Sequence, residues 1–177
     1  MNNKEFLDSH LDQVTRGIYA IEKETLDLAV QTIKNAVKMG KRIYVAGNGG
    51  SAAIGEHLCC DFTKQSDAKL YSLISNTALT TAFANDYGYE KVIAMQISRL
   101  CNINDILILI SSSGESRNIV EAVNAAKIKK MKIIGLTGFS GGFLKEKSTI
   151  SLHIPSDNYG VVEDCHQMLM HVISKLL

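Results

Sequence analysis

The sequence predicts an α/β fold: a doubly wound, five-stranded parallel sheet of flavodoxin-like order, with helices on both faces. Three observations predict it. Five short apolar runs alternate with segments of helical periodicity, as in a chain of strand–helix–strand units. The central run, Asp105–Ile110, is almost continuously apolar, which is typical of a parallel strand buried on both faces. Glycine-rich or serine-rich turns follow three of the runs, and such sheets bind ligands beyond the carboxyl ends of their strands.

The composition is typical of one globular domain. With 177 residues, 46% of them hydrophobic, and a net charge of +1, the chain can bury a core and presents no strongly basic surface. We therefore expect a single domain over residues 1–177, with a leading helical segment (1–40) and an α/β core (41–177), and no direct contact with nucleic acid or membrane. The first residues are polar, no apolar run has membrane-spanning length, and the four cysteines lack C-x-x-C spacing. These features favour a cytoplasmic protein whose thiols are small buried hydrophobes.

The leading segment carries an apolar stripe at helical spacing. The stripe predicts an amphipathic helix that continues, with a break, to Val37, and Gly40 supplies a stop. A helix placed before the first strand has no crossover role in the sheet, so its stripe either covers the domain's own core or pairs with another subunit; we favour the second. The stripe consists of Leu7, Leu11, Val14, Ile18 and Ile21.

The first strand, Arg42–Ala46, leads into a glycine-rich turn, Gly47–Ala52. This turn matches G-x-G-x-x-A, a form of the dinucleotide-binding fingerprint. That interpretation requires an acidic residue after the second strand, Leu70–Ile74, but serine and asparagine follow it. We therefore expect the backbone of this turn to approach a smaller ligand, with Asn48 and Ser51 as polar contacts.

The turn after the central strand, Ser111–Ser116, contains four serines and a glycine. A helical pattern follows, so the hydroxyls and the free N–H groups of a helix start converge at one point. The turn contains no lysine, so it predicts a site that binds a phosphate through neutral groups. One serine acting as an N-cap is the alternative, but a cap needs a single hydroxyl.

The remaining elements leave more alternatives open. Asn76–Ala84 is predicted as a short helix, followed by a polar turn in which Asn85 and Asp86 are expected to bond to the backbone. A helix over residues 90–100 precedes the central strand. The last two strands are predicted at Met131–Leu136 and Ile150–Pro155, with His153 facing a polar neighbour.

Two helices carry residues that are capable of chemistry. His57 and Asp61 are four residues apart and share one helix face, where they form either a surface ion pair or part of a site. The closing helix, Val161–Leu177, carries Glu163 and His171, which are solvated residues unless they lie beside the first pair.

Three motifs together resemble a known family, and the resemblance covers nearly the whole chain. In chain order they are GNGGSAA (47–53), SSSGES (111–116) and LTGFSGG (136–142). They resemble the sugar-isomerase (SIS) domain and, more narrowly, the bacterial phosphoheptose isomerases. Those enzymes interconvert sedoheptulose 7-phosphate and D-glycero-D-manno-heptose 7-phosphate.

The resemblance implies a set of ligand-binding residues. It assigns the phosphate to Ser111, Ser112, Ser113 and Ser116. It implies substrate contacts from Asn48, Gly49, Gly50, Ser51, Asp61, Asn85, Asp86 and Glu163, which replaces the turn interpretation of Asn85 and Asp86. It also implies one zinc ion per subunit, bound by His57, Asp61, Glu163 and His171, and a homotetramer with sites shared between subunits.

The resemblance implies an aldose–ketose isomerisation through an enediol, with Asp61 as base and His171 as acid. A residue bound tightly to zinc is a poor base, so Asp61 must either exchange or play one of the two roles. The chain departs from the family pattern twice: Asp61 stands where glutamate is usual, and Glu163 where glutamine is usual. Two carboxylates and two histidines still form a competent zinc ligand set. Two alternatives are a non-catalytic SIS module that binds a sugar phosphate and a protein partner such as a replication initiator, and an isomerase of hexose phosphates. Because all four zinc positions hold possible ligands, the enzyme is favoured over the module.

Overall fold

The structure is a computed structural model that describes residues 2–177. Within them the chain forms eight α-helices, a short 3-10 turn and five β-strands. The strands are β1 (Arg42–Gly47), β2 (Lys69–Ser72), β3 (Ile106–Ser111), β4 (Lys132–Thr137) and β5 (Ile150–His153). The helices are α1 (Asn3–Tyr19), α2 (Lys23–Lys38), α3 (Gly49–Gln65), α4 (Thr77–Tyr87), α5 (Val92–Leu100), α6 (Arg117–Ile128), α7 (Gly142–Lys147) and α8 (Tyr159–Leu176), with the 3-10 turn at Tyr89–Lys91.

The sheet is parallel throughout and has the order β2-β1-β3-β4-β5, so the predicted fold class is confirmed. The central strand is β3, which pairs with β1 and β4 on its two sides. All six of its residues are buried, as its continuous apolar sequence predicts.

The core lies on both faces of the sheet because successive strand residues point to opposite sides. Ile106, Ile108 and Ile110 join one cluster, which α1, α2, α3 and α8 cover. Leu107 and Leu109 join the other, which α5, α6 and α7 cover. The helices therefore sandwich the sheet and leave its carboxyl edge to the turns.

The leading segment forms two helices with a break at residues 20–22, as predicted. Val14 and Gly17 are buried, and a Cβ on Gly17 would lie 2.9 Å from Cys165 Sγ of α8, so α1 packs closely on α8. Phe6 and Leu11 lie on the same helix but remain 66% and 54% exposed. The stripe therefore covers part of the domain's own core and also leaves apolar surface uncovered.

Two local predictions are wrong. The polar turn expected to begin at Asn85 is the last part of α4, because Asn76 caps the helix by accepting from the Leu79 N–H at 3.0 Å and Gly88, with φ +89°, ends it. The thiols are not uniformly buried either. Cys60 is exposed, since α3 turns its Leu58 and Phe62 towards the core. Among residues 2–177, none of the helices is both long and apolar enough to cross a membrane.

Candidate functional site

The carboxyl ends of β1 and β3 bring the first two turns together. Gly49 begins α3 just after β1, and Ser116 precedes the first residue of α6. Both helices therefore present free N–H groups near the same sheet edge. A cavity of about 100 Å³ lies between them and is lined by Asn48, Ser51, Ile110, Ser111, Ser112, Ser113, Ser116, Tyr159 and Glu163.

The glycine turn requires its glycines for two different reasons. Gly49 has φ +53°, a left-handed conformation that suits glycine, and nothing lies within 4 Å of a Cβ placed there. Gly50 instead packs against α8, because its Cβ would lie 2.5 Å from Glu163 Oε2. The turn therefore brings the start of α3 up to the Glu163 carboxylate.

The serine turn, called here the serine cradle (Ser111–Ser116), uses two of its hydroxyls internally. Ser111 Oγ accepts from the Gly114 N–H at 3.2 Å, and Ser113 Oγ accepts from the Glu115 N–H at 3.3 Å. The buried Ser112 Oγ has no hydrogen-bond partner among the described residues. An unpaired buried hydroxyl costs about 1–3 kcal/mol.

The third glycine-rich turn supports the cradle from behind. The Gly138 N–H donates to Ser112 O at 2.8 Å, and the Leu144 N–H donates to Gly114 O at 3.1 Å. Gly114 has φ +68°, and its Cβ would lie 2.0 Å from Gly141 O. The LTGFSGG motif therefore fixes the shape of the cradle, and none of its residues lines the cavity.

An amide network connects the two ligand-facing turns. Asn48 Nδ2 donates to Asn118 Oδ1 at 3.0 Å, while Asn118 Nδ2 donates to Asn48 Oδ1 at 2.7 Å. The Tyr89 hydroxyl donates to the same Asn48 oxygen at 2.8 Å. Because two donors occupy that oxygen, the Asn48 side chain offers the cavity an N–H donor. The sequence analysis did not identify Asn118 or Tyr89.

The electrostatics of the cavity are simple. Glu163 is the one charged side chain among the described residues that line it. An anion at the serine cradle would therefore be held by hydroxyls, backbone N–H groups and the positive end of α6. The Glu163 carboxylate lies at the other wall, against Gly50.

A second group of side chains lies between α3 and α8, called here the His–Asp–His cluster (His57, Asp61 and His171). One ligand atom from each residue lies within 4.8 Å of the others. Asp61 is 3.7 Å from His57 Nε2 and 3.9 Å from His171 Nε2, through different carboxylate oxygens. The Asp61 side chain is only 15% exposed, whereas both imidazoles are about half exposed. The two imidazole rings meet edge to face, with their centroids 5.0 Å apart. The structure thus brings together three of the four residues that the resemblance assigns to a metal.

Gln167, which the sequence analysis did not single out, reaches both histidines of the cluster. Its Nε2 lies 3.3 Å from His57 Nδ1 and 2.9 Å from His171 Nε2. The sequence did not predict that the Gln167 carboxamide lies between these two histidines, because His57 and Gln167 are 110 residues apart in the chain.

Glu163, Asn85 and Asp86 lie apart from the cluster. Glu163 lines the cavity and is two helical turns, about 12 Å along α8, from His171. Asn85 and Asp86 are exposed and hydrogen-bonded to each other at 3.0 Å, and they do not line the cavity of this chain. Tyr89, which follows them closely in sequence, does reach Asn48.

Two further histidines lie near the carboxyl end of β4. His153 Nδ1 is 3.0 Å from Thr137 Oγ1, so its predicted polar neighbour is confirmed. His166 is fully buried: its Nε2–H donates to Thr137 O at 3.2 Å, and its Nδ1 has no partner among the described residues. Burial lowers the pKa of His166 to about 4, so it is neutral at pH 7.

Comparison with known proteins defines the class first. A family model described as an SIS domain matches residues 5–138. A phosphoheptose isomerase of Helicobacter pylori (strain P12) is 35% identical over 178 residues, covering 96% of this chain and 90% of that protein. The chain therefore belongs to the phosphoheptose isomerase family of SIS-domain proteins.

Solved structures agree with this assignment and with the predicted fold. A phosphoheptose isomerase from Francisella tularensis superposes with a TM-score of 0.92 at 28% identity, covering 99% of this chain and 98% of that chain. The phosphoheptose isomerase from Neisseria gonorrhoeae gives a TM-score of 0.89 at 30% identity, covering 98% and 97%.

Proposed function

We propose that this protein is an aldose–ketose isomerase that converts sedoheptulose 7-phosphate into D-glycero-D-manno-heptose 7-phosphate. The observation that carries the proposal is the placement of two different sites on the same two helices. The cavity lies between the serine cradle and the starts of α3 and α8, and the His–Asp–His cluster lies further along these two helices. A linear substrate with a phosphate at one end and a carbonyl at the other needs such a pair.

The serine cradle binds the phosphate in this proposal. Ser111, Ser112, Ser113 and Ser116 line the cavity, and the buried Ser112 Oγ has no hydrogen-bond partner among the described residues. Hydrogen bonds to a charged partner contribute about 1.5–3 kcal/mol each, so a few neutral donors suffice to hold a phosphate.

The opposite wall of the cavity contacts the sugar. The turn formed by Asn48, Gly49, Gly50 and Ser51 supplies N–H and hydroxyl donors, and the Glu163 carboxylate accepts from sugar hydroxyls. Phosphate and carboxylate then lie on opposite sides, so that their repulsion orients the substrate with its phosphate in the cradle.

The reacting carbons lie at the His–Asp–His cluster. Asp61 removes a proton from C1 of the ketose and returns it to C2, while His171 gives a proton to O2 and takes one from O1. The products of these transfers are the enediol and then the aldose, with atoms and charge balanced. A positioned acid or base contributes about 10²–10⁴-fold to such a step.

The cluster is suited to a divalent metal, and we propose zinc, one ion per subunit. Two imidazoles and a carboxylate form the nitrogen and oxygen ligand set that Zn²⁺ takes in catalytic sites. A bound ion would supply Lewis acidity beside the carbonyl. Because a carboxylate that binds zinc tightly is a poor base, Asp61 would either exchange between the ion and the substrate or play one of the two roles. The residues of this chain that would hold it are His57, Asp61 and His171, with Glu163 the fourth ligand that the family pattern suggests.

We also propose a homotetramer whose sites are shared between subunits. The exposed apolar residues of α1, Phe6, Leu7 and Leu11, supply an interface. Because Asn85 and Asp86 are exposed and outside the cavity of their own chain, their sugar contacts would be made in a neighbouring subunit's site.

The two alternatives make different demands on the chain. A non-catalytic sugar-phosphate module needs the serine cradle but not the His–Asp–His cluster. A hexose phosphate isomerase needs the serine cradle and the cluster closer together, because its substrate is one carbon shorter. The sequence relative and the solved structures described above are phosphoheptose isomerases, which supports the heptose phosphate as substrate.

The test measures turnover of sedoheptulose 7-phosphate by the purified protein with added zinc. Turnover of the shorter substrate, fructose 6-phosphate, is measured under the same conditions for comparison. We expect conversion of the heptulose that disappears in the double variant Asp61→Asn/His171→Ala. Binding without turnover would support the non-catalytic module, and preferential turnover of the hexose phosphate would replace the substrate.

A further inference from the structure

The side chain of Gln167 lies between the two histidines of the cluster. Its amide nitrogen is within hydrogen-bond distance of one ring nitrogen of each, 3.3 Å from His57 Nδ1 and 2.9 Å from His171 Nε2. An amide NH₂ group has two donors and no acceptor, so both imidazoles present lone pairs to it.

Those lone pairs are the electrons that bind a metal. A neutral imidazole ligates through the ring nitrogen that carries no proton. In this structure the Gln167 amide therefore uses the electrons that a cation in the cluster would use on His171 Nε2, the ring nitrogen that also lies 3.9 Å from Asp61. The carboxamide also carries an oxygen next to its nitrogen, and the terminal torsion of glutamine is roughly two-fold, so rotation exchanges the two atoms easily. Amide oxygen is a known protein ligand for metals.

The sequence of α8 is consistent with a glutamine ligand that lies one helical turn later than in the family pattern. The family resemblance implies a glutamine at position 163, where this chain has glutamate. That glutamate lines the cavity against Gly50. The chain does have a glutamine one helical turn later, at position 167, and it faces the cluster.

We propose that Gln167 is the fourth metal-binding side chain of the His–Asp–His cluster, and that Glu163 belongs to the sugar cavity instead. Without metal, the Gln167 amide donates to His57 and His171 and holds their rings in place. With metal, its Oε1 joins the ion. The inference rests on the metal site of the proposed function and replaces one of its ligands.

The test is the zinc affinity of chelator-treated, metal-free protein, measured by competition with a chromophoric chelator. Three variants are compared with the unmodified chain: Gln167→Leu, Gln167→Glu and Glu163→Gln. Gln31→Leu is the matched control, because Gln31 is an exposed glutamine of α2, away from both sites. Chemical denaturation of each metal-free variant verifies that it folds.

We expect Gln167→Leu to weaken zinc binding at least about tenfold, the size of effect typical of residues that support a metal site. Gln167→Glu should restore it, because glutamate keeps an oxygen ligand, whereas leucine would fulfil a purely packing role. Glu163→Gln and Gln31→Leu should bind zinc like the unmodified chain.

The inference is overturned if Gln167→Leu binds zinc as tightly as the unmodified chain, if Glu163→Gln is the variant that loses it, or if the unmodified chain binds no zinc. Turnover of sedoheptulose 7-phosphate in the same preparations separates this inference from the proposed function. Unaltered zinc affinity in an active Gln167→Leu enzyme refutes only the inference, and zinc binding through Gln167 without turnover refutes only the isomerase.

Discussion

The serine cradle and the His–Asp–His cluster are built in opposite ways. The cradle is a set of backbone turns whose shape depends on close approaches, such as Gly114 against the Gly141 carbonyl. The cluster is a set of side chains on two helix faces, and its imidazoles are about half exposed. Backbone that is packed this closely tolerates few changes, whereas side chains on a helix surface can be exchanged one at a time. The departure from the family pattern at Asp61 lies in the second region.

The largest effect is expected when the cradle backbone is forced to move. Gly114→Ala introduces a Cβ that would lie 2.0 Å from Gly141 O at φ +68°, so the turn cannot keep its shape. We expect a loss of about 3–5 kcal/mol in the free energy of unfolding and loss of phosphate binding. Chemical denaturation and phosphate titration measure both.

Gly49→Ala is the matched control for this prediction. It has a similar φ of +53° but no atom within 4 Å of the new Cβ, so only the backbone strain of about 1–2 kcal/mol applies. Equal losses in the two variants would show that the contact between the turns does not determine the shape of the cradle.

The next effect concerns His166, which lies on α8 between the two regions. Burial lowers its pKa to about 4 from the ordinary value of 6.5, so the unfolded chain binds the proton more readily than the folded chain. The free energy of unfolding that depends on His166 is therefore highest above pH 6.5, where both states are neutral. It falls as the pH drops towards 4, because the unfolded chain takes up the proton first. We expect a loss of about 3 kcal/mol from this group across that window.

Denaturation of metal-free protein at several pH values, compared with His166→Asn, checks the assignment. The variant should be less stable at pH 7, and its stability should change less between pH 6.5 and 4. The same pH dependence in both proteins would assign the loss to other groups.

A smaller effect separates Ser112 from its neighbour Ser111. Ser112→Ala removes an unpartnered buried hydroxyl, so we expect unchanged or higher stability without ligand and about tenfold weaker phosphate binding. Ser111→Ala removes one of the two acceptors of the Gly114 N–H, which keeps its bond to Ser111 O at 3.1 Å, and should cost at most about 1 kcal/mol of stability. Thermal unfolding with and without phosphate measures both quantities. A destabilised Ser112→Ala variant would mean that its hydroxyl has a structural role.

The smallest effect is expected at Tyr89. Tyr89→Phe keeps the ring but removes the donor to Asn48 Oδ1, leaving Asn118 as the remaining donor to that oxygen. We expect KM to rise by several-fold, equivalent to about 1 kcal/mol, with kcat nearly unchanged. Loss of kcat without a change in KM would place Tyr89 with the chemistry instead.

The two regions also differ in how well the sequence predicted them. The cradle was predictable because its hydroxyls and glycine are contiguous in the chain and follow a recognisable buried strand. The i, i+4 spacing of His57 and Asp61 predicted one helix face but not which residues of α8 would meet it. Gln167 was missed because only the packing of α8 on α3 brings it to His57, across 110 residues.

Two other predictions failed because the deciding residue lies outside the local pattern. Asn118 and Tyr89 act through the side chain of Asn48, and no local pattern marks such a contact. Asn85 and Asp86 have turn-forming side chains, but the helix that contains them ends only at Gly88. In each case tertiary packing, or a helix stop further along, determined the outcome.

The central claim is that the cradle binds and the cluster reacts. The most direct measurement is kcat for sedoheptulose 7-phosphate in Asp61→Asn, together with the dissociation constant of the same substrate. We predict a fall in kcat of about 10²–10⁴-fold with a far smaller change in binding. Turnover at the rate of the unmodified chain, or loss of binding equal to the loss of turnover, would contradict the separation of the two regions.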